Sequence, residues 1–224
     1  MLVKNWMTTD VITLTSDRSM MKAAKIMKDA NISRIPIVDD EGKIVGIISD
    51  RDVKEASPSK ATTLDMHELY YLLSEIKIKD IMTRKPMTLS VEDTVEKAAV
   101  LMEERGFGGM PVVDEVGKVV GIITDSDIFR CFMNVTGVQE GGVQIGMRLS
   151  NQPGGLNPVL EFLREHNARL MSILTSVEGP EKPTRDVFIR IREMDKPELK
   201  RLIAGLEEQF EVLFWTRDSV HPVV

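Results

Sequence analysis

Residues 6–56 recur in diverged form, without a gap, 75 positions later as residues 81–131. Both copies close on one signature, Gly46-Ile47-Ile48-Ser49 with Asp52 and Gly121-Ile122-Ile123-Thr124 with Asp127. A duplicate of this length restricts the fold to one supersecondary unit used twice, with halves related by a pseudo-twofold axis. Such a pair makes two equivalent clefts, which suits small-molecule sensing better than catalysis.

Each copy predicts the same order of elements. A short strand (11–14; 86–89) leads into a helix, capped by Asp17 in the first copy and by Glu92, Asp93 or Thr94 in the second. Met20, Ala23, Ala24, Met27 and Ala30 form a helical stripe, as do Val95, Ala98, Ala99 and Met102. The helix stops at Asn31 or Gly106, residue types that tolerate the left-handed conformation. A hairpin follows, 35–38 with 44–49 and 110–113 with 119–124, around turns closed by Gly42-Lys43 and Gly117-Lys118. A last helix begins near Asp50 or Asp125, so the unit is β-α-β-β-α.

This pattern resembles the CBS domain, which occurs in tandem as a Bateman module. The resemblance rests on a lead-in such as Ile81-Met82-Thr83, a hydrophobic-Pro strand such as Ile35-Pro36-Ile37-Val38-Asp39, and the Gly-h-h-Ser/Thr-x-x-Asp ending, twice in the same order over nearly all of residues 1–133. It implies an adenine nucleotide or related adenosyl ligand (AMP, ADP, ATP or S-adenosylmethionine) in the cleft between the repeats.

Asp52 and Asp127 are the candidates to accept hydrogen bonds from both ribose hydroxyls, with the hydroxyls of Ser49 and Thr124 one turn away. The strand-to-helix junction offers backbone N–H groups to a phosphate. By resemblance, adenine is walled by Ile12 or Met87, by Ser33, Arg34, Ile35 and Pro36, and by the segment 108–111 with Gly109, Met110 and Pro111. The copies differ where phosphates would be handled: Arg51 becomes Ser126, and Arg34 becomes Gly109. The site using Arg34 and Arg51 is expected to favour charged nucleotides; the other takes a less charged adenosyl ligand or stays empty. On the competing reading, Ser49/Asp50 and Thr124/Asp125 only cap helices, and Asp52 and Asp127 are ordinary first-turn acids.

Composition narrows the remaining classes. The net charge is −6 with both signs mixed along the chain, and no basic stripe suited to nucleic acid is present. Three scattered histidines (His67, His166, His221) and the single Cys131 cannot assemble a transition-metal site, so neither metal nor resident cofactor is expected. One cysteine also excludes an internal disulfide. No run approaches a membrane span, and the start Met-Leu-Val-Lys-Asn-Trp lacks the apolar core of a signal peptide, which predicts a cytoplasmic protein. The expected layout is a first repeat at 1–56, a linker at 57–77, a second repeat at 78–133 and a further domain at 142–217. The linker carries a helix from Asp65 with Leu69, Leu72, Leu73 and Ile76 in its stripe, expected to pack on the module; the alternative reading of Tyr70 and Tyr71 is an aromatic platform for a base.

After Gly141-Gly142 the pattern becomes β-α-β-β-α-β, with strands at 143–149, 168–177, 186–192 and 211–216 and helices at 156–166 and 197–208. Val187, Ile189 and Ile191 alternate with Phe188, Arg190 and Arg192, which predicts one mostly polar sheet face. Pro197 suits a first helical turn with Asp195 as cap, and Leu199, Leu202, Ile203 and Leu206 form the buried stripe. This order, with Asn151-Gln152-Pro153-Gly154-Gly155-Leu156 at the first strand-to-helix turn, resembles the ACT domain, a ferredoxin-like regulatory fold. The resemblance implies dimerisation and an amino acid near Asn151, Gly154 and Gly155; alternatively these glycines only make the turn.

The fold class is therefore α+β, a Bateman module followed by an ACT-like domain. The expected function is a non-catalytic sensor, a homodimer that passes its ligand state to the ACT-like domain or to an unidentified regulated protein. The alternatives are a structural dimerisation module with degenerate pockets and an enzyme acting on the bound nucleotide; for the latter no P-loop or catalytic set is visible.

Overall fold

Apolar, largely β-branched runs follow each helix stop, and each folds into an antiparallel hairpin whose first strand is buried at successive positions and whose second alternates. The computed structural model describes residues 1–57, 73–176 and 182–217. In the first copy Arg34–Val38 pairs with Ile44–Ser49, Arg34 opposite Ser49. In the second Gly109–Val113 pairs with Val119–Thr124, Gly109 opposite Thr124. Helices Met20–Asp29 and Val95–Arg105 bury Met20, Ala23 and Met27, and Val95, Ala98 and Met102. They stop where Asn31 and Gly106 take φ values of 52° and 69°. Helices Asp50–Ala56 and Asp125–Thr136 follow the hairpins.

The two copies are joined by exchange. Thr83–Arg84, leading into the second copy, adds a third strand to the first copy's hairpin, with Thr83 opposite Ile47. Thr8, 75 positions earlier, bridges Ile122 of the second copy. Leu2 bridges Thr94 just as Lys77 bridges Ser19, and Lys43 lies opposite Lys118, its own counterpart. Every one of these pairs maps onto its partner by the same offset, so the pseudo-twofold is real and runs between the hairpin turns. Packing follows the backbone. Ile78 is fully buried in the first copy's core with Ala23, Met27, Ile35, Ile37 and Ile48, and Ile81 and Met82 pack against it. Its counterpart Val3 is also fully buried.

Exchange explains the signature glycine. A Cβ on Gly46 would fall 2.5 Å from Met82 Sδ and 3.1 Å from the Thr83 carbonyl oxygen; on Gly121 it would fall 2.4 Å from Met7 Sδ. The exchanged strand thus lies directly on these residues. Gly46→Ala or Gly121→Ala is expected to destabilise by about 1–3 kcal/mol through overpacking, and thermal melts indistinguishable from the parent would contradict this contact.

Two local expectations are corrected. Residues 11–14 make only an isolated bridge, Leu14 to Ile37, and in the second copy only Leu89–Ser90 is a strand. Asp17 does not cap the first helix: Ser19 does, accepting from Lys22 N–H at 3.3 Å, while Asp17 accepts the Thr15 hydroxyl, which holds its carboxyl below the usual range. The start is set by exchange, because Met20 N–H donates to the Ile76 carbonyl at 2.8 Å. Thr94 caps the second helix, accepting from Lys97 N–H at 3.1 Å. The linker helix expected from Asp65, with Leu69, Tyr70, Tyr71 and Leu72, lies outside the described residues, as do His67 and His221.

Contacts divide the chain into Met1–Phe129 and Arg130–Val224. In the latter, four antiparallel strands stand in the order Glu211–Arg217, Val143–Ser150, Thr184–Ile191, Leu170–Thr175. Helices Asn157–Glu165 and Lys196–Gln209 connect them and bury Val159, Phe162 and Leu163 with Leu199, Leu202, Ile203 and Leu206 on one sheet face. Asp195 precedes the second helix but makes no side-chain cap bond. The face expected to be polar is not open at Arg190, which is 4% exposed and donates to the Gly141 carbonyl at 3.2 Å. Chain after residue 136 covers it: Gly137 and Gly142 both lie against Met171, and the Ser172 hydroxyl bonds the Thr136 carbonyl. Among the described residues no helix is long and apolar enough to cross a membrane.

Candidate functional site

The site is built where each hairpin's second strand gives way to its helix. Ser49 and Asp52 form a reciprocal capping box. Asp52 Oδ2 accepts the Ser49 N–H and hydroxyl, both at 2.7 Å, and Asp52 N–H donates to Ser49 Oγ at 3.3 Å. Thr124 and Asp127 repeat it at 2.9, 2.8 and 3.4 Å. The capping reading is thus correct for one oxygen. Asp52 Oδ1 accepts no hydrogen bond among the described residues. The cap holds the side chain in one orientation and leaves lone pairs for a sugar hydroxyl. Asp127 is only 3% exposed.

The same geometry corrects the expectation of open helix N–H groups for phosphate. Asp50 N–H donates to the Ser33 carbonyl at 2.9 Å, and Asp125 N–H to the Gly108 carbonyl at 3.1 Å. Ser126 N–H donates to Asp125 Oδ1 at 2.7 Å, and Arg51 N–H faces the Asp50 carboxylate. Both helix starts are already satisfied, so a phosphate has to be met by side chains.

Those side chains are Arg34 and Arg51. Both line one cleft of about 300 Å³ with Ser49 and Asp52 of the first copy and Met87, Gly109 and Pro111 of the second. Eight of the sequence-based candidates, Gly108 of the segment 108–111 among them, therefore converge in one place. Ile47, Asp50, Thr83, Pro86, Gly106 and Phe107 line it as well. Most of these reach it through the exchanged strand and the helix stop, signals that the motif ending alone does not carry. Asp50 is bonded by Lys54 at 2.7 Å, which holds its carboxyl below the usual range; the nearby Arg34 charge acts in the same direction. The guanidinium groups of Arg34 and Arg51 donate no hydrogen bond among the described residues.

Ile12, Ser33, Pro36, Thr124, Ser126 and Asp127 are the offset counterparts of Met87, Gly108, Pro111, Ser49, Arg51 and Asp52, so they fall at the twofold-related positions. Ile12 and Met87 are 40% and 41% exposed, unusual for such side chains and suited to stacking on a flat ring. Ile35 and Met110 differ from expectation. They are 0% and 1% exposed and belong to the packed interior, in strands where the neighbouring Pro36 and Pro111 are buried as well.

In the other unit, Asn151 Nδ2 donates to the Lys182 carbonyl at 3.1 Å, and Gly155 N–H to the Gln152 carbonyl at 3.0 Å. A Cβ on Gly155 would stand 2.2 Å from the Ser150 carbonyl oxygen. Gly155 is thus required by the turn itself, with Gly154 at φ 83° beside it. Among the described residues no group of three or more His, Cys, Asp or Glu could hold a metal.

Comparison with known proteins follows this geometry. The CBS domain family model matches residues 3–59 and 78–134. L-aspartate semialdehyde sulfurtransferase of Methanocaldococcus jannaschii is 38% identical over 131 residues, 58% of this chain but 23% of that protein. The chain thus spans about a quarter of that relative's length. A solved CBS domain pair in complex with 5′-methylthioadenosine and S-adenosyl-L-methionine is 37% identical, with a TM-score of 0.50 over 59% of this chain and 95% of its own. A protein from Vibrio cholerae assigned to acetoin utilization is 28% identical, with a TM-score of 0.52 over 62% of this chain and 96% of its own.

Proposed function

Because the chain belongs to the CBS-domain family, with two matched segments that make a tandem pair, we propose that it is a regulatory module binding adenine nucleotides or adenosyl ligands between its repeats. The carrying observation is the convergence in one cleft of the oriented Asp52 carboxylate, two guanidinium groups (Arg34, Arg51) that donate no hydrogen bond among the described residues, and an exposed apolar wall (Met87). The complex of the 37% identical pair supports the adenosyl class. The repeats are assigned to 1–56 and 78–133, joined by 57–77. The module is non-catalytic; the sulfurtransferase relative extends well beyond the matched stretch, so its activity is not carried over.

We assign 142–217 to an ACT-like, ferredoxin-like domain, supported by the split sheet order of its strands. An amino acid at Asn151, Gly154 and Gly155 would have to exchange with the internal bonds of that turn. The chain works as a homodimer whose ligand state reaches this domain or a regulated protein, and ligand must then bind two conformations with different affinity.

Thermal denaturation tests the central claim. A ligand at 100 times its dissociation constant raises stability by about 2.7 kcal/mol. If AMP, ADP, ATP and S-adenosylmethionine all leave the melting temperature unchanged, the module is a structural one with degenerate pockets. Arg51→Ala is expected to weaken AMP about tenfold, the loss of roughly one charge-assisted hydrogen bond. It should leave 5′-methylthioadenosine, which has no phosphate, unaffected in calorimetry.

A further inference from the structure

The strand Glu211–Arg217 carries Leu213, Phe214 and Trp215 in succession, and they are 38%, 42% and 44% exposed. It stands at the edge of the four-stranded sheet, with no strand on its outer side among the described residues. Its inner neighbours show which way the side chains face. Trp215 lies opposite Ile145 of the core beneath the helices, so it stands on the helix side. Phe214 lies opposite Gly146 and packs near Phe188 on the other side, with ring centroids 6.2 Å apart. Leu213 is the extra residue of a bulge, after which 214–217 run on in register. Sheet edges are commonly blunted by charge or proline; residues 212–216 carry neither.

On the helix side Trp215 joins Leu199, Ile203 and Ala204 of Lys196–Gln209 in an apolar groove of about 570 Å³. The groove is flanked by Lys200 toward the helix start and Glu207 toward its end, on the same helical stripe. Neither makes an ion pair among the described residues. The surface is thus apolar on both sides of one strand, and its occupant has to extend the sheet and the helix layer together. Its flanking charges are of opposite sign about an apolar centre, so they match a copy of themselves turned end for end.

We propose that this edge and groove contact a second copy of the chain, the two strands Glu211–Arg217 pairing antiparallel and the two helices Lys196–Gln209 lying antiparallel about a twofold axis beside Ala204 and Trp215. That axis sets Lys200 of each copy against the partner's Glu207, and Trp215 at the centre of the contact. The assignment deepens the homodimer reading and rests on it.

The test is cross-linking of the full chain carrying Ala204→Cys with a short bis-maleimide, read against protein concentration on a denaturing gel. Cys131 is buried, so the introduced thiol is the one that reacts. The expected result is a covalent dimer, with none from Thr175→Cys on the opposite edge strand. Trp215→Glu in the Ala204→Cys chain should raise the concentration for half-maximal cross-linking about thirtyfold or more, as for a central aromatic anchor. Lys200→Glu should raise it about tenfold, since the symmetric contact turns two attractions into repulsions. Adding Glu207→Lys should restore it, which a folding defect would not allow. The proposal is overturned if Thr175→Cys cross-links as readily, if the charge swap fails to restore the contact, or if cross-linking survives Trp215→Glu. It is also overturned if sedimentation shows a dimer that Ala204→Cys does not cross-link, in which case the homodimer reading stands and this face does not. A chain that stays monomeric at every concentration would overturn both, and adenosyl binding is measured independently of either.

Discussion

Alanine at both Asp52 and Asp127 should abolish adenosyl-ligand binding at concentrations that saturate the parent. Each carboxylate is held in one orientation by its capping box, so it meets a sugar hydroxyl without an ordering penalty. Hydrogen bonds to a charged acceptor contribute roughly 1.5–3 kcal/mol, or about ten- to a hundredfold in affinity per site. The two substitutions differ in what they do to folding. Asp52 is partly exposed, and its loss removes a cap at about 1 kcal/mol. Asp127 is buried, and its loss leaves the Thr124 N–H and hydroxyl without their acceptor, at about 1–3 kcal/mol. Circular dichroism melts of the single variants should therefore rank Asp127→Ala as less stable. Calorimetry on the folded double variant decides the functional point: undiminished affinity would remove the sensor reading.

The second large effect comes from the exchanged lead-ins. Ile78→Ala should destabilise by about 2–5 kcal/mol, although Ile78 precedes the second repeat, because its side chain fills the first repeat's core. For the same reason a peptide of residues 1–57 should not fold by itself. It lacks Ile78, the third strand Thr83–Arg84 and the backbone acceptor at Ile76. Urea denaturation reports both outcomes. A cooperative transition in the 1–57 peptide would show that exchange is dispensable.

Why this interlock escaped a reading of the sequence is a matter of length. Helical and strand periodicity needs several residues to register, and it located the hairpins, the helices and the stops at Asn31 and Gly106 closely. The exchanged contacts rest on pieces of one or two residues, Thr8 or Thr83–Arg84, too short for any period. They then moved what they touched, shifting the first cap from Asp17 to Ser19. Ile35 and Met110 were drawn into the candidate site with their segment, because a motif does not say which side of a strand faces the ligand. Arg190 was expected on a wet face because alternation reports the two sides of a strand but not what covers each. The cleft was legible largely because duplication marks it twice, and the departures from duplication, Arg34/Gly109 and Arg51/Ser126, marked where its charge differs.

Gly109 stands where the first repeat has an arginine. A Cβ there would lie 3.0 Å from Arg34 Cδ and 3.4 Å from its Nε, so any side chain at this position would push the guanidinium a few tenths of an ångström from its place. Loss of the side chain in one copy thus leaves room for the long side chain kept in the other.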